Sequence, residues 1–310
     1  MTIIDEIKKR CEIVLVNEPM HLHTSFKIGG TADILAFPKT TEELISVWNF
    51  CRLGHELANP LEAVGGNVEG IPFTVLGDGA NVLVSDDGIR GVVVFTNKMR
   101  AIEILDCAVR AESGVRLAAL AESAAESGLT GLEFSCGIPG TVGGAVYMNA
   151  GAYGHDISEF IETVTLFSNG EIIVKTGAEM EFGYRKSFAQ GGDMLILGAT
   201  FRLSHEEPHK IREVMADLNA RRRKTQPLEY GSAGSFFKRP EGHFAGKLIE
   251  DAGLKGFCIN DAQVSEKHAG FVVNRGNATS KDVLALMHHV QSVVFERYGV
   301  RLEPEVRILG

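Results

Sequence analysis

Two long glycine-rich stretches, LGDGANVLVSDDG (76–88) and CGIPGTVGGAVYMNAGAYG (136–154), restrict what this chain can fold into more than any other feature. Glycine has no Cβ, so its backbone can approach another group closely and adopt conformations that other residues avoid. Both stretches must therefore lie where the chain turns sharply or where something presses against it. Two readings are open. Each stretch is a tight turn between strands, or the pair forms nests of N–H groups around an anion such as a pyrophosphate. On the second reading the contacts are Gly77, Gly79, Ala80 and Asn81 from the first stretch, and Gly137, Gly140, Thr141, Gly143, Gly144, Asn149 and Gly151 from the second. Asn81, Thr141 and Asn149 add side-chain polar groups to the backbone donors.

The surrounding periodicity is that of short strands with a few helices. An amphipathic helix carrying Ile3, Ile4 and Ile7 is expected over residues 1–12, and Thr40-Thr41-Glu42-Glu43 reads as a capping box for a second helix. Residues 54–70 read as a surface loop. Strands follow around 73–76 and in short segments over 81–113, then an alanine-rich helix over 115–127 that Gly128 ends. Asn169-Gly170 predicts a hairpin, and 194–203 a further strand. From about residue 206, helices (208–224, 243–252, 280–298) alternate with strands (270–273, 300–309), so a boundary is expected near 205. The first part is expected to be α+β and the second a smaller α/β unit. Asn277-Ala278-Thr279 reads as the cap of the last helix.

Charge and cysteine content narrow the function. A formal net charge of −9 provides no positive field for nucleic acid or an anionic membrane, so neither is expected as a partner. Five widely spaced cysteines without a CxxC fit thiols in a reducing compartment. The opening MTIIDEIKKRCEIVL has no apolar h-region, and no apolar run approaches membrane-spanning length. A soluble, cytoplasmic protein is the expectation. Without GxGxxG, GxxxxGK[ST], HExxH or paired-cysteine spacing, no Rossmann loop, P-loop or metal is expected.

YGSAGSFFKRP (230–240) holds Ser235 where small flexible residues meet an apolar anchor. Either this is a glycine turn leading into a buried strand, or Ser235 is a reacting group that Phe236 and Phe237 hold from behind. Three stretches, HTSFKIGGTAD (23–33), LGDGANVLVSDDGIRG (76–91) and GLEFSCGIPGTVGGAVYMNAGAYG (131–154), resemble the flavin-binding signatures of the UDP-N-acetylenolpyruvoylglucosamine reductase family. FGYRKS (182–187), GSAGSFFKRP (231–240) and LEPEVRILG (302–310) resemble its remaining blocks, in order, so the likeness runs from about residue 20 to the C-terminus. The spacing after FGYRKS is similar to that of the shorter, type II branch.

The resemblance implies an α+β fold of the FAD-binding vanillyl-alcohol-oxidase (PCMH) type. Subdomains 1–75 and 76–205 would clasp a non-covalent FAD, and an α/β domain, 206–310, would carry the substrate. It implies reduction of UDP-N-acetylglucosamine enolpyruvate to UDP-N-acetylmuramate with NADPH as reductant; a monomer is the separate expectation. Arg185, Ser235 and Glu305 fall on the family's catalytic positions, and Tyr184, Lys224, Lys238 and Arg239 are candidate substrate contacts. Each also has a plainer reading: Arg185 stacked on Tyr184 at the surface, Glu305 exposed on a strand, Lys224 complementing a helix dipole. His268 reads as a satisfied loop histidine. A flavin oxidase of the same fold and a flavin-free nucleotide-sugar binder are the rival readings.

One departure stands out. The family's first loop has a serine before the asparagine, whereas here Asp78 and Ala80 occupy GDGAN. A lost hydroxyl removes a hydrogen bond worth about 0.5–1.5 kcal/mol. An aspartate beside a diphosphate weakens binding further unless it points away.

Overall fold

Helix caps and turn residues act where the local sequence asks for them. In this computed structural model, which describes residues 2–53 and 70–310, the first helix is Ile3–Arg10. It opens on a capping box between Thr2 and Asp5 and buries Ile7. The second, Thr41–Leu53, starts from Thr40, whose Oγ1 accepts from the Glu43 N–H at 3.2 Å; the Glu43 carboxylate reaches back to the Lys39 N–H at 2.9 Å. The loop expected over 54–70 lies, apart from Gly70, outside the described residues.

The chain forms two compact units. The first comprises the described residues of Met1–Glu18, Ala32–Asp78 and Arg90–Leu218. It carries a four-stranded sheet in the order Val14–Pro19, Thr31–Ala36, Ile89–Phe95 and Phe73–Leu76. The two opening helices cover a core of Ile7, Leu44, Val47, Val92 and Val94. A five-stranded antiparallel sheet runs Glu171–Thr176, Ile161–Ser168, Met194–Arg202, Ala108–Glu112 and Ile102–Leu105. Leu117–Glu126 supplies Leu120 and Ala124 to its core. The expected hairpin turn is present: Asn169 and Gly170 both have positive φ, +52° and +82°, which matches the twist of the flanking strands.

The second glycine stretch is not loop throughout. Val142–Met148 is a helix with Thr141 as N-cap and Asn149 as a left-handed C-cap. Tertiary packing overrides the poor helix propensity of Gly143-Gly144. Val142, Ala145 and Val146 are buried, and a Cβ on Gly143 would lie 3.0 Å from the Cβ of Ser113.

The second unit is assembled from Pro19–Thr31, Gly79–Ile89 and Asn219–Gly310. Its antiparallel sheet runs Gly231–Ser235, Phe271–Asn274, Ala262–Val264 and Cys258–Ile259. Helices Ala245–Asp251 and Ser280–Tyr298 pack Leu248, Val283, Leu286 and Val290 into the core with Phe26 and Phe236. Thr279 caps the last helix through a capping box with Asp282, as its sequence indicates. The strand expected over 300–309 shrinks to Arg307–Leu309, parallel to Val82–Val84. Pro304 has no N–H to continue it and makes only an isolated bridge with Phe237.

Candidate active site

In the first unit the two glycine stretches meet at Gly77. An added Cβ there would overlap Thr141 Oγ1, so glycine is the residue that lets them close. Thr141 and Ser113 are each 1% exposed, and neither hydroxyl has a hydrogen-bond partner among the described residues. The segment is pinned by Gly143 N–H to Ser113 O at 2.8 Å, Val142 N–H to Val115 O at 2.8 Å and the Arg116–Thr141 bridge. A buried unsatisfied polar group costs about 1–3 kcal/mol. Two of them at a seam where no side chain fits suit a ligand rich in acceptor oxygens, such as a diphosphate. Gly77, Thr141, Gly143 and Gly144 thus cluster, with Gly140 (φ +128°) leading into the helix cap and Gly137 just upstream.

Asn149 and Gly151 have structural work of their own. The Asn149 amide donates to Gly183 O at 3.1 Å, and its Oδ1 accepts from the Ser158 N–H at 3.3 Å. Gly151 sits in a two-residue strand pair where a Cβ would lie 2.5 Å from His155 O. This turn holds FGYRKS in place. Arg185, in the left-handed region at φ +54°, donates from Nη1 to Asn149 O at 3.2 Å, and its guanidinium lies 5.2 Å from the Tyr184 ring centroid. Ser187 and Gln190 donate to Tyr147 O at 2.9 and 2.6 Å, and Gln190 also to Arg185 O at 3.0 Å. Sequence reasoning passed over Gln190, because a polar residue beyond a motif has no local signature.

Asp78 does not stand unpaired. Its Oδ2 accepts from Arg116 Nε at 2.7 Å and its Oδ1 from Asn97 Nδ2 at 3.4 Å.

In the second unit Ser235 and Glu305 lie on adjacent segments. The Glu305 N–H donates to Phe236 O at 2.9 Å, and Lys238 N–H to Glu303 O at 2.8 Å. Gly234, at φ +80°, precedes the exposed Ser235, and the pairing with Phe271–Asn274 slips between Ser232 and Ser235. Behind the serine, Phe236 and Phe237 are 1% and 4% exposed with centroids 5.2 Å apart. Asn81 was expected to face an anion. Its amide donates to Glu305 O at 3.2 Å, and its own carbonyl accepts from the Arg307 N–H at 3.0 Å. Gly79 lets the loop pass over His23, where a Cβ would overlap the carbonyl, and Ser25 Oγ donates to Ser232 O at 2.7 Å while lying 3.1 Å from Ala80 O. The HTS block therefore braces both the first loop and the Ser235 strand.

Among the substrate candidates, Lys224 is exposed in the last turn of helix Pro208–Thr225. Lys238 Nζ lies 3.2 Å from Glu303, and the Arg239 guanidinium is 4.0 Å from the Phe244 ring centroid. His268 Nδ1 accepts from the Gly270 N–H at 3.1 Å, and burial holds its pKa below the usual histidine value. Cys136 is buried, its Sγ 3.8 Å from Met215 O.

Residues 32–177, which hold both glycine stretches, match the family described as FAD binding domain, and with the α+β architecture this places the chain among flavin-binding proteins. Residues 226–309 match UDP-N-acetylenolpyruvoylglucosamine reductase, C-terminal domain. The chain is 47% identical over 308 residues to the UDP-N-acetylenolpyruvoylglucosamine reductase of Caldanaerobacter subterraneus subsp. tengcongensis, covering 99% of this chain and 97% of that one. It is 48% identical over 300 residues to that of Clostridium kluyveri, covering 96% and 94%. The crystal structure of the Thermus caldophilus reductase aligns with a TM-score of 0.78 at 33% identity, covering 96% of this chain and 98% of that one. The chain belongs to the UDP-N-acetylenolpyruvoylglucosamine reductase family.

Proposed function

We infer that this chain reduces the enolpyruvyl ether of UDP-N-acetylglucosamine to UDP-N-acetylmuramate in peptidoglycan precursor synthesis, with FAD as cofactor and NADPH as reductant. The observation that carries the reading is the pair Ser235 and Glu305 on hydrogen-bonded neighbouring segments, the serine exposed and backed by buried aromatic rings. Gly77, Thr141, Gly143 and Gly144, with the Ser113 hydroxyl, would hold the cofactor diphosphate. In domain terms, 1–75 and 76–205 serve FAD and 206–310 the substrate.

FAD, held by these residues, would supply the hydride needed at the terminal vinyl carbon. Negative charge then develops on the carbon that bears the carboxylate. Arg185 suits that carboxylate, because its planar fork grips two oxygens and stays charged. Ser235 Oγ delivers a proton to the same carbon and recovers one from solvent, so the double bond gains one hydride and one proton. Glu305 stabilises the enol by hydrogen bonding, and preorganised groups of this kind contribute several kcal/mol. Tyr184, Lys224, Lys238 and Arg239 are proposed substrate contacts; Lys238 would exchange its Glu303 partner for a phosphate. We place the protein in the cytoplasm, as a monomer. Among the described residues no helix is long and apolar enough to cross a membrane.

The test is an absorbance spectrum under anaerobic conditions, with NADPH added first and the enolpyruvyl substrate second. Bleaching of the flavin band followed by its recovery on substrate is expected. Bleaching without recovery would favour an oxidase of the same fold, and a protein that takes up no FAD would favour a sugar-nucleotide binder.

A further inference from the structure

The geometry points to Arg116 as a positioning residue for the cofactor: it holds Asp78 in an internal ion pair, so that the first glycine loop can carry a carboxylate without repelling a diphosphate. The inference rests on the reading that the meeting point of the two glycine stretches receives the FAD diphosphate. Asp78 directly follows Gly77, where an added Cβ would overlap Thr141 Oγ1. Arg116 bridges Thr141 through the backbone, and its Nε donates to Asp78 Oδ2 at 2.7 Å. Thr141 and Ser113, whose hydroxyls have no hydrogen-bond partner among the described residues, pack against Gly77 and Gly143, so the ion pair adjoins the same seam.

The exposures assign the roles. The Asp78 side chain is 15% exposed and that of Arg116 63%. The carboxylate is thus the desolvated member, for which losing its partner matters most. Asn97 donates to its other oxygen at 3.4 Å, so both oxygens have a partner. With Arg116 neutralised, a largely buried negative charge would be left beside a dianionic ligand, where the local dielectric screens poorly.

The test titrates FAD into the full-length, flavin-stripped protein and reads flavin fluorescence. Arg116→Gln is expected to weaken FAD binding about tenfold. Asp78→Asn combined with Arg116→Gln should return it to within about threefold of the native protein, because the charge to be countered is gone. The gap between Arg116→Gln and the native protein should narrow between about 0.01 M and about 1 M salt, which a purely structural defect would not do. If the single variant lowers the thermal midpoint of the flavin-free chain, Arg116→Lys carries the test and should bind FAD more tightly than the Gln variant. Native affinity in Arg116→Gln, or a double variant as weak as the single, would overturn the inference. Thr141→Val separates the two layers: loss of FAD there beside native binding in Arg116→Gln removes only the Arg116 assignment. Native binding in Thr141→Val would remove the diphosphate reading itself.

Discussion

At Ser235 the backbone emerges from Gly234 at φ +80°, where a Cβ would meet no atom within 4 Å. What calls for glycine there is conformation alone, since an L-residue in that region costs about 1–2 kcal/mol. Replacing Ser235 by Ala is expected to leave FAD bound and reducible by NADPH while turnover falls about 10²–10⁴-fold, the usual worth of a positioned proton donor. Stopped-flow absorbance separates the two half-reactions, and native reoxidation by substrate would remove Ser235 from the donor role. His268 makes a different prediction. Burial lowers its pKa from 6.5, so the folded state disfavours the proton that the unfolded chain accepts. Its contribution to stability is complete above about pH 6.5 and is lost as pH falls through the lower folded value. His268→Gln should flatten the decline in thermal midpoint below about pH 6.5; an unchanged decline would assign it to other groups.

Among the elements, the hairpin Ile161–Ser168/Glu171–Thr176 was legible because its turn needs two positive-φ residues and Asn169-Gly170 tolerates them. No atom lies within 4 Å of a Cβ built on Gly170, so Gly170→Ala probes backbone conformation alone. A loss of about 1–2 kcal/mol is expected, seen as a lower urea midpoint with an unchanged m value. Helix Val142–Met148 was not legible, because paired glycines read locally as loop and only packing onto Ser113 makes them helical. The same holds at 300–306, where alternating apolar residues read as strand but Pro304 withholds the donor that a ladder requires.

Over the whole molecule, the thiols report how the cores are closed. Cys11, Cys51 and Cys136 are buried, Cys107 is half-buried and Cys258 exposed. Burial raises the Cys11 thiol and pushes that of Cys51 up to about 12, so the reactive thiolate is scarce at neutral pH. Native protein should titrate Cys258 and Cys107 rapidly with a thiol reagent and the other three only as it unfolds; fast reaction at Cys51 would mean that the core around Trp48 opens on its own. The sequence by itself determined what depends on near neighbours: caps, the hairpin turn, the two glycine stretches, and the ordered blocks that carry Arg185, Ser235 and Glu305. Only the tertiary structure decided that the Asn81 amide goes to Glu305 O, that Ser25 braces Ser232, that Val82–Val84 pairs with Arg307–Leu309, and that Asp78 is matched by Arg116. The reason is physical. Backbone dihedrals and caps are set within a few residues, whereas partners far apart in the chain are chosen by which apolar faces bury together and in which register.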